Sequence, residues 1–130
     1  MNKSPKHYIP GVCNIGPQEI RMRKQSGWTA LSITIAAIVA LSYSQAPSVW
    51  YLALFFPATG AAIGLIQGYS EFCVAFGMKG LFNVSKEVGM TESITQKEFR
   101  AQDQKKSVLL IMISLMIGIL IALAGYLLTK

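Results

Sequence analysis

Cysteine is the side chain in this sequence best suited to chemistry, and it occurs twice in 130 residues, as Cys13 and Cys73. Cys13 opens "CNIGPQEIRMRK", residues 13 to 24, and Cys73 stands in "EFCVAFGMKG", residues 71 to 80. The thiolate is the reactive form of cysteine, and cations such as Arg21, Arg23 and Lys24 nearby favour it. Brought into one layer, the two thiols would form a pair able to exchange electrons or handle sulfur. Read singly, each is a small, inert hydrophobe. His7 offers a third soft ligand, yet two Cys and one His without local spacing make no metal pattern, and neither metal nor cofactor is expected. The sequence carries no nucleophile–His–acid set, phosphate loop or haem-attachment motif, so no enzyme chemistry is assigned to it.

A second group of candidates is polar rather than nucleophilic: Asn14, Glu19, Arg23, Glu71 and Asn83. Glu19 and Arg23 are four apart, the spacing and order that favour pairing on one helix face. Glu71 falls beside a long apolar run, where a carboxylate is costly unless it faces protein or water, and a cross-helix ion pair with Arg21, Arg23 or Lys24 is the expected explanation. A proton relay at Glu71, or a polar cavity lined by Gln67 and Glu71, is the sharper alternative. An amide at a membrane boundary also needs partners. Asn14 and Cys13 are therefore expected to fold back near Cys73 and Asn83, where Gly77 and Gly80 leave backbone groups accessible.

The elements that must position these residues follow from the charge pattern. Residues 28 to 70 and 107 to 129 contain no Asp, Glu, Lys or Arg, and about 20 such residues suffice to cross a ~30 Å hydrocarbon core. The first block breaks at "SYSQAPS", residues 42 to 48, where Ala46-Pro47 disfavours continued helix. The fold class expected is all-α integral membrane, one domain over 1–130. It comprises an N-terminal segment 1–27, spans at 28–44 and 49–68, a partly helical connection 69–107, and a third span at 108–128. Trp28, Trp50, Tyr51 and Tyr126 near the span ends suit the interface. Every Lys and Arg except Lys130 lies before the first span or between the second and third, which places those segments in the cytoplasm and the C-terminus outside. The net charge of +6 is thereby absorbed by topology, and no nucleic-acid partner is expected.

Gly16-Pro17 with Glu19 reads as a helix start, ahead of arginines and lysines that would sit among anionic headgroups. Small residues recur every fourth position at Gly60, Gly64 and Gly68, at Ser32, Ala36, Ala40 and Ser44, and at Ser114, Gly118 and Ala122. Such stripes let helices approach closely where lipid supplies no hydrophobic drive. Intramolecular packing of three helices is expected, with a homo-oligomer or a pore as sharper alternatives.

Over residues 12 to 83 the chain resembles a small bacterial inner-membrane family of unknown function, whose two-helix unit occurs alone or fused to a rhodanese-type domain. Asn14, Gly16, Glu19, Arg23 and Gly27 match the family's opening pattern in spacing, and Cys73 with Gly80 resembles its Cys followed seven residues later by Gly. Ile20 stands where the family often has Arg, and Val74 where it often has Pro. The resemblance implies a fold and no activity, because no rhodanese domain is present and the third span lies beyond it. The leading function expected is a small structural or accessory protein that packs with itself or a larger membrane complex. A thiol-based redox or sulfur-handling role is the runner-up, and an oligomeric channel or transporter the third.

Overall fold

A computed structural model of the chain describes residues 8–84 and 91–130. His7 lies outside the described residues. The protein is mostly helical, and three of its helices are long and apolar enough to cross a membrane. Helix α1 (Pro17–Tyr43) starts where Pro17, lacking an N–H, occupies a position whose N–H would have no helical partner. It continues unbroken past Gly27, so the segment ahead of the expected span and the span itself are one helix. The chain reverses at Gln45, whose φ of 51° is left-handed. A 3-10 helix (Ser48–Leu54) then leads into α2 (Phe55–Ser70).

Helix α2 stops at Glu71, again left-handed at φ 58°, where the Phe72 N–H donates to the Gln67 carbonyl at 3.1 Å. A short α3 (Val74–Lys79) follows and ends at Gly80, whose φ of 71° suits a residue without Cβ. Strands β1 (Leu81–Phe82) and β2 (Glu92–Ser93) pair antiparallel, with Leu81 opposite Ser93. Helix α4 (Lys97–Thr129) has 33 residues and is about 50 Å long at ~1.5 Å per residue, well beyond a ~30 Å hydrocarbon core. The last part of the connection expected over 69–107 is thus the continuous first part of the third helix.

Helix α2 is the middle layer, packed on α1 along one side and α4 along the other. Its contact with α1 is backbone on backbone. A Cβ at Gly64 would lie 2.7 Å from the Gly27 Cα, and one at Gly27 would lie 2.6 Å from the Leu65 amide nitrogen. Gly68 makes room for the Lys24 side chain, and Gly118 of α4 receives Thr59 and the Phe55 carbonyl. Gly60 is looser, its nearest neighbour being the Ala30 Cβ at 3.8 Å, an ordinary contact.

The α1 stripe departs from expectation. Ser32, Ala36 and Ala40 are exposed, while Gly27 and Thr34 are buried. At ~100° per residue the two sets lie on roughly opposite faces of the helix, and only the Gly27 face can approach α2 closely enough for backbone contact. Ala36 and Ala40 therefore lie outside the close α1–α2 backbone contact. Large apolar side chains also face outward all round the bundle, among them Ile33 and Val39 of α1, Phe56 of α2, and Leu120 and Leu128 of α4. A surface of this kind is stable against hydrocarbon and unfavourable against water.

Candidate functional site

The polar residues singled out in the sequence meet at one end of the bundle, and Asn14 is their centre. Residues 9 to 13 form a tight hook, closed by paired hydrogen bonds between Ile9 and Cys13 and turning at Gly11, φ 69°. The hook delivers Asn14 into the interior, where it is 0% exposed. Its side-chain amide mimics a strand partner for Cys73: Nδ2 donates to the Cys73 carbonyl at 3.0 Å, and Oδ1 accepts the Cys73 N–H at 2.6 Å. Its backbone is also fully used. The Asn14 N–H donates to the Glu71 carbonyl at 3.3 Å, and its carbonyl accepts the Asn83 N–H at 2.8 Å. The Gly16 N–H then donates to the Asn83 carbonyl at 2.7 Å, so residues 14 to 16 run parallel beside Asn83.

Glu19 and Arg23 project from the first turns of α1 into the same layer. Arg23 Nη2 lies 3.3 Å from Glu19 Oε2 and donates to Cys73 Sγ at 2.8 Å, while Asn83 Nδ2 donates to Glu19 Oε1 at 3.4 Å. Phe76 lies beneath the guanidinium at 5.9 Å. The cluster is buried except at Arg23: Glu19 is 2% exposed, Asn83 1% and Cys73 1%, while the Arg23 side chain keeps 18%. The Lys24 ammonium lies over the Tyr69 ring, at 4.4 Å. Glu71 ends α2 and offers its carbonyl to Asn14. Gln67 Oε1 accepts the Val74 N–H at 2.9 Å and so caps the start of α3.

Both cysteines are free thiols and buried. Cys13 Sγ donates to the Ile15 carbonyl at 3.5 Å, whereas Cys73 Sγ receives Arg23. They share the layer through Asn14, which follows Cys13 in the chain and grips the Cys73 backbone. A substrate could reach neither sulfur without the layer opening. Among the described residues, no group of three or more His, Cys, Asp or Glu is placed to hold a metal ion.

Sequence reasoning missed Asp103. This carboxylate is 0% exposed on α4 and fastens the hook from the other side. Its Oδ2 accepts the Tyr8 hydroxyl and its Oδ1 the Gly11 N–H, both at 2.7 Å. Burial, the hydrogen bond to Asp103 and the carboxylate's charge together push the Tyr8 phenol well above its ordinary range. Tyr8 also stacks on Phe82, with ring centroids 4.6 Å apart, and Lys106 Nζ donates to the Val12 carbonyl at 2.9 Å. A signal for Asp103 existed in the sequence. The small-residue stripe Ala122, Gly118, Ser114 extends back through Ser107 to Asp103, all buried on one face of α4.

These features define a mostly helical chain whose three span-length helices are laced at one end by a buried polar layer. Comparison with known protein families, with curated proteins and with solved structures finds no match.

Proposed function

We propose that the protein is a small structural or accessory protein of a membrane, the bacterial inner membrane by resemblance, that packs with itself or with a larger membrane complex. The observation that carries this reading is how the polar layer is used. Every hydrogen-bonding group of Asn14 that is described goes to backbone that must be held in place, and Asn14, Glu19, Cys73 and Asn83 are buried. Groups spent in this way fasten a fold and turn over no substrate. Of the residues that carry the resemblance, Asn14, Gly16, Glu19, Arg23, Gly27 and Cys73 make this lacing or the α1–α2 contact, which fits a shared scaffold. The outward stripe of Ser32, Ala36 and Ala40 gives a further helix a flat surface to approach. In this reading the laced end is cytoplasmic, the C-terminus lies outside, and the surrounding partner is the bilayer.

One contact favours the thiol reading as a second choice. A guanidinium 2.8 Å from Cys73 Sγ is the kind of neighbour that reactive cysteines have. The two readings part on substitution. A scaffold carrying Cys13→Ser and Cys73→Ser should still assemble and co-purify, from mild detergent, with the same membrane proteins as the unmodified chain. Loss of the associated phenotype with assembly intact would transfer the function to the thiols.

A further inference from the structure

A groove of about 270 Å³ opens between α1 and α4 over the surface of α2, lined by Leu31 and Thr34 of α1, Ala62 and Leu65 of α2, and Ile117 and Ile121 of α4. Its walls carry no charge, and it lies within the part of each helix that can sit in hydrocarbon. What marks its use is the end toward the polar layer. On α2, Leu65 and Ala62 stand four and seven residues before Tyr69, and on α1, Leu31 stands seven after Lys24. At ~3.6 residues per turn the floor of the groove therefore continues onto Tyr69 and its α1 wall onto Lys24. Lys24 is held there. Its ammonium lies 4.4 Å from the Tyr69 ring centroid, and its stem fills the space over Gly68, where a Cβ would come within 2.5 Å of the Lys24 Cγ. Tyr69 itself is 62% exposed and Lys24 is half-buried, so a ligand can reach the pair from the outer side at the level where the apolar walls end.

An apolar channel ending in a seated cation and a phenolic hydroxyl matches one class of molecule. We propose that the groove holds an acyl chain of one anionic phospholipid, with its phosphate on the Lys24 ammonium beside Tyr69. The chain excludes the voids that the groove would leave against bulk lipid, and the headgroup gains a cation that is already oriented. A zwitterionic lipid of equal chain length gains the same apolar contact, but its own positive charge offsets the attraction of Lys24. The site holds whether or not the protein serves a larger complex.

The full-length protein in mild detergent, offered equal amounts of phosphatidylglycerol and phosphatidylcholine with identical acyl chains, tests this by native mass spectrometry. One phosphatidylglycerol should be retained about fivefold over phosphatidylcholine, the factor given by ~1 kcal/mol per basic residue near a lipid surface. Lys24→Gln should abolish the preference and Lys24→Arg should keep it. Lys105→Gln, which makes the same charge change on an exposed part of α4, should leave it unaltered. Ile117→Trp, which fills the groove, should lose both adducts while helicity is retained. Equal retention of the two lipids by the unmodified protein would overturn the proposal. So would a Lys105→Gln effect as large as that of Lys24→Gln, or adducts that survive Ile117→Trp.

Discussion

Replacing Asn14 with Ala should loosen the layer around Cys73. The magnitude follows from what is left behind. The Cys73 carbonyl keeps a second donor, the Gly77 N–H at 2.9 Å, and loses only one of its two bonds. The Cys73 N–H has Asn14 Oδ1 as its partner at 2.6 Å and would be stranded in a site that water does not enter. A stranded buried donor costs about 1–3 kcal/mol and a lost bond with the acceptor still satisfied about 1 kcal/mol, so the expected destabilisation is roughly 2–4 kcal/mol. Because Cys73 is 1% exposed, its thiol reports the opening directly. In a Cys13→Ser background, maleimide labelling of Cys73 under native conditions should accelerate by about 30-fold at 2 kcal/mol, rising to about 700-fold at 4 kcal/mol. The Gln67→Ala variant, which removes one bond to the Val74 N–H at the rim, should change the rate much less. If Asn14→Ala labels Cys73 at the unmodified rate, the Asn14 amide does not hold the layer shut and the central claim about this site is wrong.

Gly64→Leu should lower the melting temperature in detergent more than Leu65→Ala, since even a Cβ at Gly64 would meet the Gly27 Cα at 2.7 Å and overpacking typically costs ~1–3 kcal/mol; equal melting temperatures would remove Gly27–Gly64 as the helix contact. Stability should also fall as pH rises above about 10, because the unfolded phenol of Tyr8 ionises there while the folded one, with its pKa raised, keeps its proton. Tyr8→Phe should flatten that part of the pH profile in a denaturation series, and an unchanged slope would discount the Tyr8–Asp103 contact. A reporter active only in the cytoplasm should stay silent when fused after Lys130, and activity there would show that the proposed orientation is inverted or that α4 does not cross.

The helices were legible because charge is so costly in hydrocarbon that its absence over residues 28 to 70 and 107 to 129 marks them almost alone. The convergence of Asn14 with Cys73 and Asn83 was legible for a related reason: an amide beside an apolar run must find partners, and the nearby glycines suggested where. Which face of α1 turns inward was not. In a water-soluble helix, polarity separates the two faces, but here Ile33 and Val39 are as apolar outside as Leu31 is inside. The spacing of Ser32, Ala36 and Ala40 looked as good as that of Gly27 and Thr34, and only the absence of a side chain at Gly27, matched by Gly64, decides between them. Asp103 escaped because its meaning depends on Tyr8 and Gly11, more than 90 residues away in sequence. Alone, it resembled one more surface charge in a mixed run. That α4 runs unbroken from Lys97 into the third span is not legible for a similar reason. Lys97 to Lys106 are too polar to read as part of a span, yet nothing between Lys97 and Val108 breaks the helix.

The two fastenings of the N-terminal hook become available at different moments in the life of the chain. Asn14 and Gly16 need only residues up to Asn83, so α1 and α2 can be tied together as soon as that residue has cleared the ribosome and the first two helices have entered the bilayer. Tyr8 and Gly11 must wait for Asp103. At ~5–20 residues per second, synthesis of the intervening stretch takes on the order of one to a few seconds, long compared with helix pairing. During that interval the helical hairpin is closed on the Cys73 side and still open on the side where α4 will dock. The exposed flank of α2, with Thr59 and the Phe55 carbonyl awaiting Gly118, is then reserved for the helix that follows. Nascent chains stalled once residue 83, but not Asp103, has left the ribosome should therefore already protect Cys73 from labelling, which makes the polar layer a milestone in biogenesis as well as a clasp in the finished protein.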